Sequence, residues 1–351
     1  MKRVVFAVPG SLDTPTGGYA YDKRIITELR VLGWHVDVAD LGTGFPYPDR
    51  EMREAAMAKL LAVPEGCPIV IDGLAFGAMD VEAALLSSRN PLVALVHHPL
   101  AFETGLDAEQ AATLKDRERA ALVHASAVVV TGDTSLEILT REYEVARERI
   151  TVIVPGTDRR TAQKSSRPAD VPVRLLAVGS VIPRKGYDVL VAALGDLKAL
   201  SWHLTIAGDA TRDLDALLRV RAGVEAFALS DRVAMPGAVS DAQLAELYAN
   251  ADVFVLASLF EGYGMVFGEA IAQGLPIVAT DVGAARALIP SDAGILVPPG
   301  DAAALREALQ SVIADGSKRA LMAEAAQRAA ESLPQWRQSA NAFAQVLEAC
   351  R

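Results

Sequence analysis

Short apolar segments alternate with amphipathic stretches along the chain, and this rhythm constrains the fold more than any other feature. The first half contains RVVFAVP, PIVID, LVALVH and AVVVTG, and the second half contains VRLLAVGS, LTIAGD, VFVLAS and PIVATD. Strands that are apolar throughout, rather than at every second residue, are typical of parallel sheets covered by helices on both faces. The pattern predicts doubly wound α/β structure, with ligands bound at the carboxyl ends of the strands.

A polar stretch without periodicity, RRTAQKSSRPADVP, interrupts this rhythm near the middle of the chain. Because 351 residues exceed the size at which a single core usually stops growing, we expect two domains. We place them at residues 1–160 and 173–333, with a linker at 161–172. The amphipathic segment 334–351 is predicted to be a helix that either closes the second domain or crosses back to the first.

Composition excludes several classes of protein. The net charge of −10 argues against a broad basic surface for nucleic acid. No apolar run approaches the roughly 18 residues of a membrane-spanning helix, and the apolar run near the start reads as a first strand rather than a secretory signal. We therefore expect a cytoplasmic protein. Peripheral membrane contact through a small basic patch stays open, although no feature of the sequence indicates it. Cys67 and Cys350 are predicted to be free thiols.

The chain lacks several familiar catalytic signatures. There is no G-x-G-x-x-G after the first strand, no phosphate-binding G-x-x-x-x-G-K-[ST] and no G-x-S-x-G. The histidines show no H-E-x-x-H or other metal-binding spacing. We expect neither a resident cofactor nor a catalytic metal.

Residues 258–280, SLFEGYGMVFGEAIAQGLPIVAT, form the segment with the most chemical content. Gly262 and Gly264 let the backbone approach a ligand closely, and a helix beginning at about Met265 leaves its first amides free to bind an anion. Glu261 precedes that helix and Glu269 lies one turn inside it. The residues alone allow paired catalytic carboxylates, a phosphate-binding loop or helix-capping acids.

This segment closely resembles the signature of the retaining glycosyltransferases of family four, which have the GT-B fold of two Rossmann-like domains facing each other across a cleft. The resemblance implies that Glu261 contacts hydroxyls of the donor sugar and that Glu269 binds the ribose. Backbone amides of the bend would contact the sugar and the phosphates. The residues of the bend are Gly262, Tyr263, Gly264, Met265 and Val266.

Another part of the second half is similar to the same family. LLAVGSVIPRKGYDVLVAAL matches the segment whose basic residues hold the donor diphosphate, and Lys185 matches the family lysine. Ser180 stands where the family has an arginine. Arg184, which is adjacent to Lys185, could supply the missing cation because a guanidinium binds two phosphate oxygens at once. The backbone near Gly237 would contact the base of the nucleotide.

The first half carries weaker similarities. Gly17 and Gly18 resemble the glycine pair of the family loop that approaches the diphosphate and the acceptor, and we predict a loop there ahead of the first helix. His97, at the end of a strand, matches a family histidine close to the donor sugar. The alignment favours His97 over His98, although either could face the cleft.

The resemblance therefore implies a metal-independent retaining glycosyltransferase with a nucleotide-sugar donor. UDP-sugar is slightly preferred to GDP-mannose, and the acceptor is a glycan, a lipid-linked molecule or a small molecule. Two alternatives stay open: another enzyme of the same architecture, such as a nucleotide-sugar epimerase or a phosphorylase with a pyridoxal cofactor, and a non-catalytic sugar-nucleotide or glycan-binding protein. Oligomeric state is not predicted.

Overall fold

The computed structural model describes residues 2–103, 105–158 and 171–350. The chain forms two compact units, one made of Met1–Gly156 with Pro334–Arg351 and the other of Thr157–Leu333. Most of the predicted linker, residues 161–170, lies outside the described residues.

The first unit is built on a six-stranded parallel sheet with the order β2-β1-β3-β4-β5-β6. Its strands are β1 (Arg3–Val8), β2 (His35–Asp40), β3 (Ile69–Asp72), β4 (Leu92–Val96), β5 (Ala127–Val130) and β6 (Ile150–Val152). The helices between them are α1 (Gly17–Val31), α2 (Arg50–Leu61), α3 (Gly73–Phe76), α4 (Asp80–Leu86), α5 (Ala108–Val123) and α6 (Asp133–Glu142). All residues of β3 and β4 are buried, as expected for strands covered on both faces.

The second unit repeats this architecture with the order β12-β11-β10-β7-β8-β9. Its strands are β7 (Val173–Val178), β8 (Trp202–Ala207), β9 (Val233–Gly237), β10 (Val253–Leu256), β11 (Ile277–Thr280) and β12 (Gly294–Val297). Its helices are α7 (Tyr187–Gly195), α8 (Leu214–Ala226), α9 (Asp241–Asn250), α10 (Met265–Ala272), α11 (Ala285–Leu288), α12 (Ala302–Ala314) and α13 (Gly316–Ala330). The strand order reverses between β7 and β10, and such reversals open a crevice for ligands in doubly wound sheets.

The last helix, α14 (Trp336–Ala349), belongs to the first unit. Its Phe343 ring packs on Phe6 of β1 with centroids 5.6 Å apart, and the Ser339 hydroxyl donates to the Val154 carbonyl at 2.7 Å. The Arg24 guanidinium of α1 lies over the Trp336 ring, 5.2 Å from its centroid. The helix therefore completes the core of the sheet that begins the chain.

One prediction about α1 is wrong. Gly17 and Gly18 do not form a loop ahead of the helix, because they are its first two residues. Thr16 caps this helix by accepting a hydrogen bond from the Tyr19 amide at 3.2 Å. A cap of this kind fixes the start of a helix, and glycine is tolerated in a first turn whose amides have no partner inside the helix.

Two further expectations concern the chain as a whole. Cys67 and Cys350 are free thiols. Within the described ranges, every helix is either too short or too polar to cross a bilayer.

Candidate functional site

Three side chains meet where the order of the second sheet reverses. Arg184 and Lys185 lie in a single 3-10 turn, Pro183–Lys185, that follows β7, and Glu261 lies in the loop that follows β10. The Lys185 ammonium donates to Glu261 Oε1 at 2.6 Å, and Arg184 Nη1 donates to Oε2 at 3.3 Å. Only 6% of the Glu261 side chain and 11% of the Lys185 side chain are exposed, so this cluster is an almost fully buried ion pair with a second cation at its edge.

Glycines allow the two loops to come this close. Gly186 adopts a left-handed conformation, with φ of +60°, and a Cβ atom there would lie 2.1 Å from the Ala257 carbonyl oxygen. On the other side of the cluster, a Cβ atom at Gly179 would lie 2.8 Å from Lys185 Cε. Any other residue at Gly186 would push the β7 loop away from the β10 loop and separate Lys185 from Glu261.

Glu261 is held in its ionised form. Burial alone would raise the pKa of its carboxyl group, but the charges of Lys185 and Arg184 and hydrogen bonds from Lys185 and Ser258 outweigh burial and lower the pKa below its usual value. The Ser258 hydroxyl donates to Glu261 Oε1 at 2.6 Å. One carboxylate and two cations leave a net charge of +1, which suits an anionic ligand.

The bend after Glu261 leads into α10. Gly264 is its N-cap, with φ of +81°, and no side chain in the described part of the chain caps the helix. The amides of Met265 and Val266 therefore stay available to an anion. Gly262 is buried, whereas Tyr263, Met265 and Val266 are half-buried, and burial raises the pKa of the Tyr263 phenol to about 12. The predicted bend therefore joins Glu261 directly to the start of α10.

The remaining residues predicted for the second unit lie on neighbouring elements. Glu269, on α10, accepts a hydrogen bond from the Tyr248 hydroxyl at 2.8 Å. Ser180 follows β7 and is half-buried. Gly237 ends β9 with φ of +79°, and apart from its chain neighbours no described residue lies within 4 Å of the position that a Cβ would occupy. No pattern in the sequence indicated that Tyr248 would orient Glu269, because the two residues belong to different helices.

The first unit has its own cluster of titratable groups, which includes His97. This histidine directly follows β4, and its ring passes so close to α1 that a Cβ on Gly18 would lie 2.9 Å from His97 Cδ2. Gly17 has open space around it. Gly18 thus makes room for the imidazole. The neighbouring His98 contacts the Glu103 carboxylate instead.

Two aspartates that sequence reasoning missed bind the same ring nitrogen of His97. Nε2 lies 3.1 Å from Asp22 Oδ1 on α1 and 3.4 Å from Asp72 Oδ2 at the end of β3. Burial disfavours the imidazolium, but the charges and hydrogen bonds of Asp22 and Asp72 outweigh it and raise the pKa of His97 to about 10. A signal was present: Asp22 shares the apolar face of α1 with Ile25 and Leu29, where an acid needs a buried partner.

These three residues are also the part of the described chain that could hold a metal ion. Their ligand atoms lie within 4.8 Å of one another, and two carboxylates with one imidazole suit a divalent cation. However, a histidine must lose the proton of the coordinating nitrogen to bind a metal, and here both aspartates favour the protonated ring. The geometry therefore fits a histidine clamped by two carboxylates better than a metal centre.

The sequence of the second unit matches a known family. The model of glycosyl transferases group 1 matches residues 158–329, nearly the whole of this unit, including Arg184, Lys185, Glu261 and Glu269. Residues 158–329 belong to the group 1 glycosyl transferases. This assignment confirms the family that the sequence suggested.

Curated relatives of this chain carry glycosyltransferase and synthase names. A D-inositol 3-phosphate glycosyltransferase of Xylanimonas cellulosilytica is 33% identical over 245 residues, which cover 65% of this chain and 58% of the relative. A mannosylfructose-phosphate synthase of Agrobacterium fabrum is 30% identical over 168 residues, which cover 44% of this chain and 37% of the relative. The chain thus spans less than two thirds of the length of either protein.

Solved structures show the same fold over nearly the whole chain. Sucrose-phosphate synthase from Thermosynechococcus elongatus has a TM-score of 0.84 and 24% identity, with 99% of each chain covered. HepE from Anabaena, solved in complex with UDP-glucose, has a TM-score of 0.79 and 20% identity, covering 99% of this chain and 100% of its own. The predicted GT-B class, with two doubly wound parallel sheets, is confirmed.

Proposed function

We propose that the protein is a metal-independent retaining glycosyltransferase that moves a sugar from a nucleotide-diphosphate donor to an acceptor hydroxyl. The observation that carries this proposal is the buried cluster of Glu261, Lys185 and Arg184 at the strand-order reversal of the sheet that matches the family. Its position, at the carboxyl ends of β7 and β10, is where doubly wound sheets bind nucleotides.

The two cations would stabilise the departing diphosphate. Cleavage of the bond between sugar and phosphate leaves negative charge on the phosphate, and fixed cations in a buried site stabilise that charge without reorganisation. Lys185 and Arg184 would act together with the free amides at the start of α10. Loss of one such contact typically lowers the rate about 10²–10³-fold.

Glu261 would act on the sugar. As an ionised carboxylate it accepts hydrogen bonds from sugar hydroxyls and stabilises the positive charge that develops on the ring. Its contacts with Lys185 and Arg184 keep it ionised and fix its orientation, which is the preorganisation that electrostatic catalysis requires.

Other residues would hold the nucleotide and the donor. Glu269, oriented by Tyr248, would bind the ribose, and the backbone near Ser180 and Gly237 would contact the phosphates and the base. From the first unit, His97 would contact the donor sugar. A UDP-sugar is the preferred donor, and the UDP-glucose complex of HepE supports this choice. The acceptor would be a glycan, a lipid-linked molecule or a small molecule.

Nucleotide binding tests the assignment of the cations. UDP, GDP and ADP are compared by thermal shift, and the best ligand is then titrated calorimetrically against the parent and the Lys185→Ala, Arg184→Ala double variant. We expect the double variant to bind at least tenfold more weakly. Arg328→Ala, which removes a cation from an exposed ion pair of the same unit, is the control and should bind as the parent does. Equal affinity of the double variant and the parent would refute the diphosphate site.

Turnover separates an enzyme from a binding protein, the alternative that Ser180 encourages. The parent should slowly hydrolyse its donor and release nucleoside diphosphate, with a rate that EDTA does not change. The anomeric configuration of the transferred sugar, read by NMR, tests retention. Glu261→Ala should mainly lower kcat, whereas Glu269→Ala should mainly weaken nucleotide binding. Binding without any release of nucleoside diphosphate would favour the non-catalytic alternative.

A further inference from the structure

Both aspartates around His97 are buried, and a backbone hydrogen bond holds Asp72 in place. Asp22 is fully buried and Asp72 is 4% exposed. Asp72 Oδ1 accepts a hydrogen bond from the Leu74 amide at 2.8 Å, so the carboxylate that contacts His97 also caps α3. The edge of the Tyr21 ring packs on the imidazole with centroids 5.5 Å apart and planes inclined at 78°. The ring of His97 therefore has little freedom to rotate.

This arrangement assigns different tasks to the two ring nitrogens of His97. Nε2 lies between the two carboxylates, so its proton is shared within the protein. Nδ1 has no hydrogen-bond partner anywhere in the ranges 2–103, 105–158 and 171–350. Because 18% of the His97 side chain is exposed, Nδ1 is the ring nitrogen that remains available to a ligand.

We propose that Asp22 and Asp72 are positioning residues that clamp His97 through Nε2 and keep it doubly protonated, so that Nδ1–H is a fixed cationic donor to an oxygen of the sugar nucleotide. This inference rests on the proposed function, because it takes the ligand of His97 to be the sugar-nucleotide donor. A charged donor makes a hydrogen bond roughly twice as strong as a neutral one does.

The charges around the ring support this assignment. The titratable groups that face His97 are Asp22, Asp72 and the Tyr21 phenol. The Tyr21 hydroxyl donates to the Ile153 carbonyl at 3.0 Å, and burial raises its pKa well above the usual range, so this phenol stays neutral. Among the described residues, only the two aspartates therefore bring negative charge to the ring, and together they raise the pKa of His97 to about 10.

The protonation state of His97 can be measured without any activity. Nitrogen-15 spectra of the histidine rings are recorded as a function of pH, with His97 assigned through His97→Gln. In the parent we expect a doubly protonated ring through pH 8. Asp22→Asn and Asp72→Asn should each lower the His97 midpoint by about 1–3 pH units, the shift that one nearby opposite charge produces. Both substitutions preserve side-chain size, and circular dichroism checks folding.

A matched control lies in the same unit. His35 Nε2 is 3.1 Å from Asp37 Oδ1, the same separation as in the pair of His97 with Asp22, but both side chains are exposed. Asp37→Asn should leave the midpoint of His97 and the turnover unchanged. If Asp22→Asn does not fold, Asp72→Asn alone decides the outcome.

Kinetics then connects the clamp to the donor. In Asp22→Asn, the basic limb of the pH profile of kcat should shift to lower pH by the same number of pH units as the His97 midpoint. In a His97→Gln background, Asp22→Asn should cause no further loss, because it acts only through His97. If the protein binds the donor without turnover, the pH dependence of donor affinity replaces that of kcat.

The outcomes distinguish this inference from the proposed function. A parent protein that neither binds nor turns over any sugar nucleotide overturns the proposed function. An unchanged His97 midpoint in both Asn variants, or full additivity of Asp22→Asn with His97→Gln, overturns the positioning role alone. If EDTA abolishes the activity of the parent and Zn²⁺ or Mn²⁺ restores it, while Asp22→Asn is not restored, then Asp22, Asp72 and His97 form a metal centre and the positioning role is wrong.

Discussion

Glu261→Gln is the substitution whose consequences the structure defines best. The change keeps the size of the side chain but removes the charge that lies 2.6 Å from Lys185 Nζ and 3.3 Å from Arg184 Nη1. At an effective dielectric constant of about 20, these two attractions correspond to about 6 and about 5 kcal/mol before desolvation is considered. The substitution would leave two cations in a nearly buried site without a counter-charge.

The net loss of stability is smaller than the Coulomb attraction, because burial has already removed hydration from all three groups. Removing one partner of a buried ion pair typically costs about 3–5 kcal/mol. For a unit of this size, that loss lowers Tm by about 6–20 °C. Because the folded pKa of Glu261 lies below its usual value of 4.5, its stabilisation is complete above pH 4.5 and is lost as pH falls through the folded pKa. Glu261→Gln should therefore not show this loss of stability at acid pH.

Calorimetry over a range of pH values measures both effects. Asp292→Asn is the control, because it breaks an exposed ion pair with Arg328 at 3.1 Å in the same unit and should cost less than about 1 kcal/mol. UDP should bind Glu261→Gln at least as tightly as the parent, because the cluster gains a positive charge, although turnover should fall. A variant as stable as Asp292→Asn, or one that no longer binds UDP, would refute the description of Glu261 as the counter-ion of the two cations.

Two further substitutions test buried features elsewhere. Burial raises the pKa of Glu118 to about 8, so the parent should lose stability as pH rises from about 4.5 to 8. The loss is at most about 1.4 kcal/mol per pH unit, and thermal melts of Glu118→Gln should lack this contribution to the pH dependence. Gly186→Ala should lower Tm and weaken UDP binding, because its Cβ would collide with the Ala257 carbonyl. Gly300→Ala, also left-handed but uncrowded, should cost only about 1–2 kcal/mol and leave UDP binding intact.

The sequence predicted strands better than it predicted contacts. Leu92–Val96 is apolar at every position, and a segment of this kind in an α/β chain has few alternatives to a buried strand. The start of α1 was harder, since two glycines favour a loop by propensity, whereas the Thr16 cap decided the outcome. Local preferences therefore predicted helix α1 but not the residue at which it starts.

Candidate site residues show the same limit. Lys185 and Glu261 were identified through a resemblance, but the direct ion pair between them depends on how closely two loops approach, and Gly186 sets that approach through a tertiary contact. Asp22 and Asp72 lie on separate elements that meet only because β1, β3 and β4 are neighbours in the first sheet. No periodicity within one segment encodes such a meeting.

The return of α14 to the first unit has a consequence for synthesis on the ribosome. The second unit, Thr157–Leu333, is continuous in sequence and can fold as soon as it has left the exit tunnel. The first unit can complete its core only after residues 334–351 have been synthesised, because the Phe6 ring has no cover from Phe343 until then. The usual order, in which N-terminal domains fold first, would thus be reversed. During this delay, the face of β1 that carries Phe6 would lack its cover from α14 and would expose apolar surface.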